Sequence, residues 1–457
     1  MINKYEFNIY KLINILILLM CFLSPFEVSC ISSLRLFVRL LLVFIALISI
    51  IYIIINKKIE VTNQRFLLFV LFVIPAFLSF IGMTYVELFN PNGFYFDNAL
   101  LDTCGRSINY ISLALFIYIA FSLKKYYFYK NFDNEAIIKY YWLGCFIAIL
   151  FCLWQFISMY TGLIPFPFDT RDYIHSVGDN MKKLLPGRLT GISSEPSYIV
   201  PVIYDYIILS YIYFNNNLKR IFVFLGLFCL FFTLSGSACF EFVLLTICFY
   251  SYMTLSFFSN LREKVTFKSM LIWGILTIII VSSFILFNYL NNGIIALFLT
   301  RLINVTGSGR FRTFVLPFIV SVNSNFVNML FGHGVKSFIL LANFFNEDVT
   351  SNSLYPDIFW EHGLIGLFGI LLYIFLILKS IIFKQLTPRR NMIILFITHF
   401  LIASFYRSDF ASTRSFIIIM IITILYEKER VRSCFISNYF NPKETIKNYT
   451  MINKKES

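Results

Sequence analysis

Long apolar runs separated by short polar segments dominate the sequence. A helix that crosses a bilayer core of about 30 Å needs roughly 20 predominantly apolar residues. Twelve runs approach that length. The pattern therefore predicts twelve transmembrane helices, over residues 9–29, 34–55, 66–86, 107–123, 140–161, 196–214, 221–235, 237–257, 270–290, 356–382, 391–406 and 412–426.

The first run and the break near residue 235 decide how these helices are counted. The first run follows Lys4 and Lys11, as in a secretory signal peptide. It lacks a small-residue cleavage site and a second run follows at once, so we expect it to be retained. The break at residues 234–237, LSGS, is so short that the two runs beside it must form a tight hairpin.

The composition indicates the same class of protein. Hydrophobic residues make up 59% of the 457 residues and charged residues 14%, with a mean hydropathy of +0.77. Soluble domains average about 45–50% apolar and 25% charged residues. The 19% of aromatic residues excludes disorder. We therefore predict an all-α polytopic membrane protein.

The distribution of charge predicts the topology. Basic residues concentrate in cytoplasmic loops. If the N-terminus is cytoplasmic, the cytoplasmic segments hold 25 of the 38 basic residues and 9 of the 24 acidic ones, with Lys379 counted at a helix end. Both termini are then expected in the cytoplasm, and the connections alternate between the two sides.

Two outer loops, over about residues 162–195 and 291–355, are too long to be simple connectors. Loops of this length in a compact protein are usually functional or disordered. We expect one transmembrane domain over residues 1–426 and a basic cytoplasmic tail over 427–457, which suits an anionic leaflet. No internal repeat of the kind found in transporters is visible.

The net charge of +14 does not indicate nucleic acid, because the basic residues are dispersed between apolar runs rather than joined in a stripe. The nine cysteines form no CxxC motif, and most lie inside apolar runs. His175 and His333 are too few and too far apart to indicate a metal site. No cofactor is expected.

The first candidate for chemistry is the segment 187–197, GRLTGISSEPS, which contains Arg188 and Glu195. One interpretation is a helix start, with Ser193 or Ser194 as N-cap and proline in the first turn. The other is that Glu195 is a general base, because partial shielding from water raises a carboxyl pKa. Asp205 is expected about 15 Å deeper on the same helix. It is either functional or a partner of a Lys, Arg or Tyr on a neighbouring helix.

The second candidate is the segment 306–312, TGSGRFR, near Arg301. Glycines expose backbone N–H groups to an anion, and Arg310 and Arg312 suit phosphate oxygens. The alternative is a flexible loop with solvated charges. A nearby turn, FGHG, places His333 between glycines.

The third candidate is the segment 351–366, SNSLYPDIFWEHGLIG, which includes Asn352. Asp357, Glu361 and His362 share roughly one helix face and would point into the bundle. The alternative is capping and glycine-mediated helix packing. Further ionisable residues lie in or near the outer halves of spans: Glu241, His399, Arg407, Asp409 and Arg414. Arg407 and Asp409 are close enough in sequence to neutralise each other.

Ionisable residues thus concentrate at the outer face of an apolar body. This arrangement suits an amphiphilic anionic substrate whose lipid tail stays in the bilayer while its head lies among arginines. It suits a transporter less well, because transporters place such groups near the midplane.

At these residues the chain resembles the O-antigen polymerase (Wzy) family, within the O-antigen polymerase and ligase superfamily. The resemblance covers the layout of about twelve spans with two functional outer loops. It also covers short motifs: GISSEPS after Arg188, the LSGS hairpin, GSGR, FGHG, and the segment from Asn352 to EHGLIG. Ligases place a histidine just ahead of the asparagine, whereas Thr350 and Ser351 stand here, which favours a polymerase. Ala238 replaces the arginine that often follows the hairpin serine.

The resemblance implies metal-independent glycosyl transfer at the periplasmic face of the bacterial inner membrane. The donor would be a chain on undecaprenyl diphosphate and the acceptor the next lipid-linked repeat unit. A chain-length regulator (Wzz) and a flippase (Wzx) are the implied partners. The expected catalytic residues are Glu195, Arg310 and His333, and the expected substrate-binding residues are Arg188, Arg301, Arg312, Asn352, Glu361 and Asp205. The alternatives are a ligase that transfers polymer to lipid A-core, and a polysaccharide flippase.

Overall fold

A computed structural model describes most of the chain. The described residues are 4–56, 63–89, 93–127, 134–168, 188–214, 216–259, 309–335, 337, 353–382, 388–407, 412–422 and 424–425. Within these ranges the protein is almost entirely helical (86%) and contains no strand. The helical, apolar character that the sequence predicts is therefore confirmed.

Helices make up most of the described ranges. A 3-10 helix, Ser24–Val28, continues the first of them. In chain order they are α1 (Lys4–Leu23), α2 (Ser32–Asn56), α3 (Asn63–Phe89), α4 (Gly93–Tyr127), α5 (Asn134–Thr161), α6 (Pro196–Tyr213), α7 (Asn216–Phe232), α8 (Gly236–Ser259), α9 (Gly309–Asn323), α10 (Phe326–Phe331), α11 (Leu354–Ile382), α12 (Pro388–Ala403) and α13 (Thr413–Ile422).

A helix lies at every predicted span except 270–290, which falls outside the described residues. Within the described ranges, three helical segments are long and apolar enough to cross a membrane: Lys11–Val28, Ser32–Ile54 and Ala136–Thr161. Shorter apolar helices accompany them. The predicted loop 291–355 differs from expectation, since it contains α9 and α10. Arg310, Arg312 and Pro317 interrupt the apolar pattern of α9, which hides this helix from a hydropathy-based interpretation.

The exterior of the bundle is apolar and much of its polar content is inside. Leu36, Leu40 and Ile54 of α2 are 58%, 58% and 68% exposed, whereas Asp205, Glu241 and His399 are fully buried. Soluble proteins show the reverse distribution. This arrangement belongs to a protein whose solvent is lipid.

Several connections meet at one end of the bundle. The backbone N–H of Cys30 donates to the carbonyl of Ile192 at 2.7 Å, and that of Leu189 to Phe232 at 2.9 Å. The N–H of Leu354 donates to the carbonyl of Ser404 at 2.9 Å. We call this end, formed by residues 27–30, 188–195, 232–237, 353–354, 404–407 and 412–414, the Glu195 end. The alternating topology predicted from charge requires these connections to share a side.

Candidate functional site

The segment that leads into α6 is held by a buried glutamine of α5. The side-chain Oε1 of Gln155 accepts the backbone N–H groups of Thr190 at 2.8 Å and Gly191 at 2.9 Å. Gly191 has a φ of +57°, a conformation that favours glycine. Arg188 donates from Nε to the carbonyl of Thr233 at 3.3 Å. The segment, with Arg188, is therefore fixed against the α7–α8 turn.

Glu195 is the N-cap residue of α6. Its φ of −138° and ψ of 149° are extended, and its side chain makes no capping hydrogen bond. The expectation that Ser193 or Ser194 caps this helix is wrong. The reason is Pro196, which begins the helix and excludes the residue before it from the helical region.

The Glu195 carboxylate is half-buried and accepts a hydrogen bond from Ser197 Oγ to its Oε2 at 3.1 Å. An aspartate at the N-cap ordinarily accepts a backbone N–H of the first turn, whereas the Glu195 side chain makes no such bond. The Glu195 carboxylate is therefore oriented by the Ser197 hydroxyl and is not used to cap the backbone N–H groups of α6. This is the geometry of a carboxylate that can accept a proton from a ligand.

A cation lies over the same turn of α6. The guanidinium of Arg407 lies 3.5 Å from the centre of the Tyr198 ring. The N–H of Tyr198 donates to the carbonyl of Glu195 at 3.0 Å, so the aromatic ring and the acid share one helical turn. An acid, an aromatic ring and a guanidinium therefore meet at the Glu195 end.

Asp205 lies deeper in α6 and has three protein partners. Arg414 donates to its Oδ2 from Nε at 2.8 Å, and a terminal nitrogen of Arg414 lies 2.8 Å from the same oxygen. Tyr141 donates its hydroxyl to Oδ2 at 2.6 Å, and His399 Nε2 lies 3.0 Å from Oδ1. This is the pairing with Arg and Tyr side chains of other helices that the sequence left open.

His399 bridges two carboxylates. Its Nε2 faces Asp205 and its Nδ1 bonds Glu241 Oε1, while Tyr406 donates to the other oxygen of Glu241. Ionised carboxylates only accept hydrogen bonds. Both ring nitrogens can therefore donate only if the imidazole carries two protons.

The resulting buried cluster contains Asp205, Glu241, His399 and Arg414, with the hydroxyls of Tyr141 and Tyr406. With an imidazolium at His399 its two positive and two negative charges balance. Charges inside an apolar bundle persist when they are paired in this way. We call this group the buried ion cluster.

His333 lies in a second buried region, formed where α10 meets α11. Its ring stacks on Trp360 at 3.8 Å between centres, and its backbone N–H donates to the carbonyl of Trp360 at 2.8 Å. Gly334 donates to the carbonyl of Glu361 at 3.2 Å. Burial lowers the pKa of His333 to about 4, against the opposing effect of a backbone hydrogen bond with Trp360.

A break in α11 makes these contacts possible. Gly363 has φ +66° and ψ −165°, so the helical hydrogen-bond ladder is interrupted there. The carbonyls of Trp360 and Glu361 instead accept the backbone N–H groups of His333 and Gly334, in the turn after α10. The FGHG and EHGLIG segments, which lie apart in the sequence, therefore form one packed unit.

Glu361 is buried on the α4 side of this unit. It interacts electrostatically with Arg106, as does Asp357. Tyr110 lies one turn after Arg106 in α4. Its hydroxyl oxygen is 3.3 Å from Nε2 of His362. The expected inward orientation of the polar face of α11 is thus observed.

The remaining predicted site residues are only partly described. Arg310 and Arg312 lie in the first turn of α9, where a loop was expected, and their side chains are not described. Arg301 and Asn352 lie outside the described residues.

Several polar contacts at the Glu195 end of the bundle were not expected from the sequence. Glu27 accepts the N–H and the hydroxyl of Thr413 at 2.8 and 2.6 Å and so caps α13. An acid inside the first apolar run was a signal for it. Tyr141, Tyr198 and Tyr406 carry no distinguishing signal in a chain with 28 tyrosines.

Comparison with known proteins does not assign a family. No protein-family model matches the chain, and no curated protein matches it.

Proposed function

We propose that the protein is a polysaccharide polymerase that joins lipid-diphosphate-linked oligosaccharide units at the outer face of the bacterial inner membrane. The single observation that carries this proposal is the half-buried Glu195 carboxylate, which is oriented by Ser197 and is not engaged in capping its helix. The apolar exterior and the polar Glu195 end suit a substrate with a lipid tail and a polar head.

The reaction is a displacement at the first sugar of the donor chain. The acceptor hydroxyl oxygen forms a bond to the anomeric carbon, and the bond between that carbon and the diphosphate oxygen breaks. Glu195 takes the hydroxyl proton, and undecaprenyl diphosphate leaves with the bonding electrons. The product is a chain longer by one repeat unit on the acceptor's lipid.

The leaving group carries developing negative charge, which fixed cations stabilise. Arg310 and Arg312, with Arg301, are the proposed cations, because arginine binds phosphate oxygens in bidentate fashion. Arg188, Asn352 and Glu361 are proposed to contact the carbohydrate. His333 is proposed to act as a neutral group, since its lowered pKa of about 4 keeps the imidazole uncharged at neutral pH.

A flippase is the second candidate, and the buried ion cluster is the observation that favours it. Ionisable groups inside a bundle often belong to transport or proton pathways. In this cluster the charges of Asp205, Glu241, His399 and Arg414 are directed at one another. That pairing suits a structural role and ranks transport below glycosyl transfer.

The proposal is tested by deleting the gene in its own host and separating the surface polysaccharide on a gel. Core that carries a single repeat, with loss of the ladder, is the expected result. Wild-type protein should restore the ladder and Glu195→Gln should not, although the variant reaches the membrane. Asp97→Asn, at an exposed acid in α4, is the matched control and should restore it.

Other outcomes contradict the proposal in distinguishable ways. Bare core with long polymer on the lipid carrier would identify a ligase. Bare core with repeat units retained on the cytoplasmic side would identify a flippase. An unchanged ladder would exclude all three functions.

A further inference from the structure

The contact between Arg407 and Tyr198 fixes a guanidinium at the Glu195 end. The distance of 3.5 Å from the guanidinium carbon to the ring centre lies well inside the limit of about 6 Å for cation–π attraction. Stacking uses the flat face of the guanidinium. Its five N–H groups lie in the plane, so stacking on Tyr198 consumes none of them.

Both partners of this contact are anchored by neighbouring helices. Tyr198 lies in the first turn of α6, bonded to the Glu195 carbonyl. Arg407 follows a turn that contacts two other helices. The Ser404 carbonyl in this turn accepts the backbone N–H of Leu354 in α11, and the Tyr406 hydroxyl donates to Glu241 in α8. Arg407 therefore lies in a connection whose preceding turn is held by contacts with α8 and α11, and its guanidinium contacts α6 at Tyr198.

The three side chains are also within reach of a ligand. Glu195, Tyr198 and Arg407 are each half-buried, in contrast with the fully enclosed Asp205 and His399. A guanidinium held at the edge of an apolar bundle favours an anion, and the planar array of N–H groups matches two phosphate oxygens at once. Five N–H groups can serve a protein partner and a ligand together.

We propose that Arg407 is a diphosphate-binding residue, which holds phosphate oxygens of a lipid diphosphate beside Glu195. This inference rests on the proposed function and deepens it. It places the anionic group of the substrate next to the acid that receives the acceptor proton. The Arg407–Asp409 pair that the sequence suggested is a separate question, because Asp409 lies outside the described residues.

The opposite end of α6 provides a matched control. Lys219 of α7 lies 4.4 Å from the centre of the Tyr211 ring, so it makes the same kind of contact with the same helix. Tyr211 lies near the C-terminal end of α6, and Glu195 lies at its start. Removal of Lys219 deletes a cation–π contact and leaves the Glu195 end unchanged.

The test measures binding to the purified full-length chain in lipid nanodiscs by calorimetry. The probes are farnesyl diphosphate, farnesyl monophosphate and inorganic pyrophosphate. The wild-type protein should prefer the diphosphate lipid to the monophosphate and to pyrophosphate. Arg407→Ala should weaken farnesyl diphosphate binding about tenfold or more, because a bidentate charge-assisted contact is lost. Lys219→Ala should bind as the wild type does.

Arg407→Lys keeps the charge but not the planar array of donors and should bind with intermediate affinity. It decides the matter if Arg407→Ala does not fold. Wild-type affinity in both Arg407 variants would overturn the inference, as would equal losses in Lys219→Ala, absence of farnesyl diphosphate binding by the wild type, or preference for free pyrophosphate.

These results separate the inference from the proposed function. Normal chain growth with Arg407-independent diphosphate binding would overturn the role of Arg407 alone. Absence of chain growth with Arg407-dependent binding would overturn glycosyl transfer while supporting the diphosphate site.

Discussion

Arg414 directs two nitrogens at a single carboxylate oxygen of Asp205, each at 2.8 Å, although the two residues are 209 positions apart in the chain. Asp205 is 0% and Arg414 2% exposed, so the pair lies in a region without solvent screening. It joins α6, which carries Glu195, to the start of α13.

Asp205→Ala should lower the free energy of unfolding by about 3–5 kcal/mol, because it leaves the charge of Arg414 buried without this carboxylate. The measurement is equilibrium unfolding in mixed detergent micelles. In a double-mutant cycle, Asp205→Ala with Arg414→Ala should lose clearly less than the sum of the single losses. Additive losses would show that the pair does not couple the helices.

Tyr406→Phe should destabilise the protein by about 1–3 kcal/mol, since a fully buried Glu241 loses a donor to one of its oxygens. The control is Tyr250→Phe on α8. The Tyr250 hydroxyl is buried and makes no hydrogen bond with the described part of the chain. Thermal unfolding of both variants compares them. A loss in Tyr250→Phe as large as in Tyr406→Phe would contradict the assigned role of the buried ion cluster.

Gly363→Ala should destabilise the fold by several kcal/mol or prevent its formation. With φ +66° and ψ −165° the backbone lies in a region that costs alanine about 1–3 kcal/mol, and a Cβ would overlap the carbonyl of Leu330. Gly105→Ala in α4 is the control. A Cβ there meets no atom within 4 Å, so the change should be neutral or stabilising by about 0.5–1 kcal/mol. Expression and melting temperature in detergent report both effects.

The stability of the protein should fall between about pH 6.5 and pH 4 through His333, whose pKa burial lowers from 6.5 to about 4. In that window the unfolded chain binds a proton that the folded chain does not. The contribution is fully present above pH 6.5 and is lost as the pH falls. A shift of this size corresponds to about 3 kcal/mol.

His333→Phe retains an aromatic ring against Trp360 and does not titrate. Its unfolding free energy should therefore depend less steeply on pH over this window than that of the wild type. Parallel pH profiles for the two proteins would show that His333 does not titrate with a lowered pKa.

The position of most helices could be predicted from the sequence, because the length of an apolar run is a local property. The lateral arrangement of the helices could not. Asp205, His399 and Arg414 each lie in or near a separate span, and nothing in the hydropathy of a span specifies which neighbour it packs against. The contact between His333 and Trp360 was hidden for a related reason, since it depends on a backbone break at Gly363.

The candidate site was predictable where a residue type is rare in its surroundings. Glu195 and Asp205 are acids beside or within an apolar run, and of the two interpretations of Asp205, the structure shows the pairing with side chains of other helices. The N-cap of α6 was misassigned because serine is the commoner cap, whereas Pro196 moves the boundary by one residue.

Elongation of lipid-linked repeat units by the purified protein tests the central proposal most directly. The protein would be reconstituted in liposomes with undecaprenyl-diphosphate-linked repeat units from its own host, and chain length would be followed by gel electrophoresis. We expect a ladder with the wild type, no ladder with Glu195→Gln or Arg310→Ala, and an undiminished ladder with Asp97→Asn. Chain growth that persists in both site variants would contradict the assigned site, and a wild type that never extends the repeat unit would contradict the proposed function.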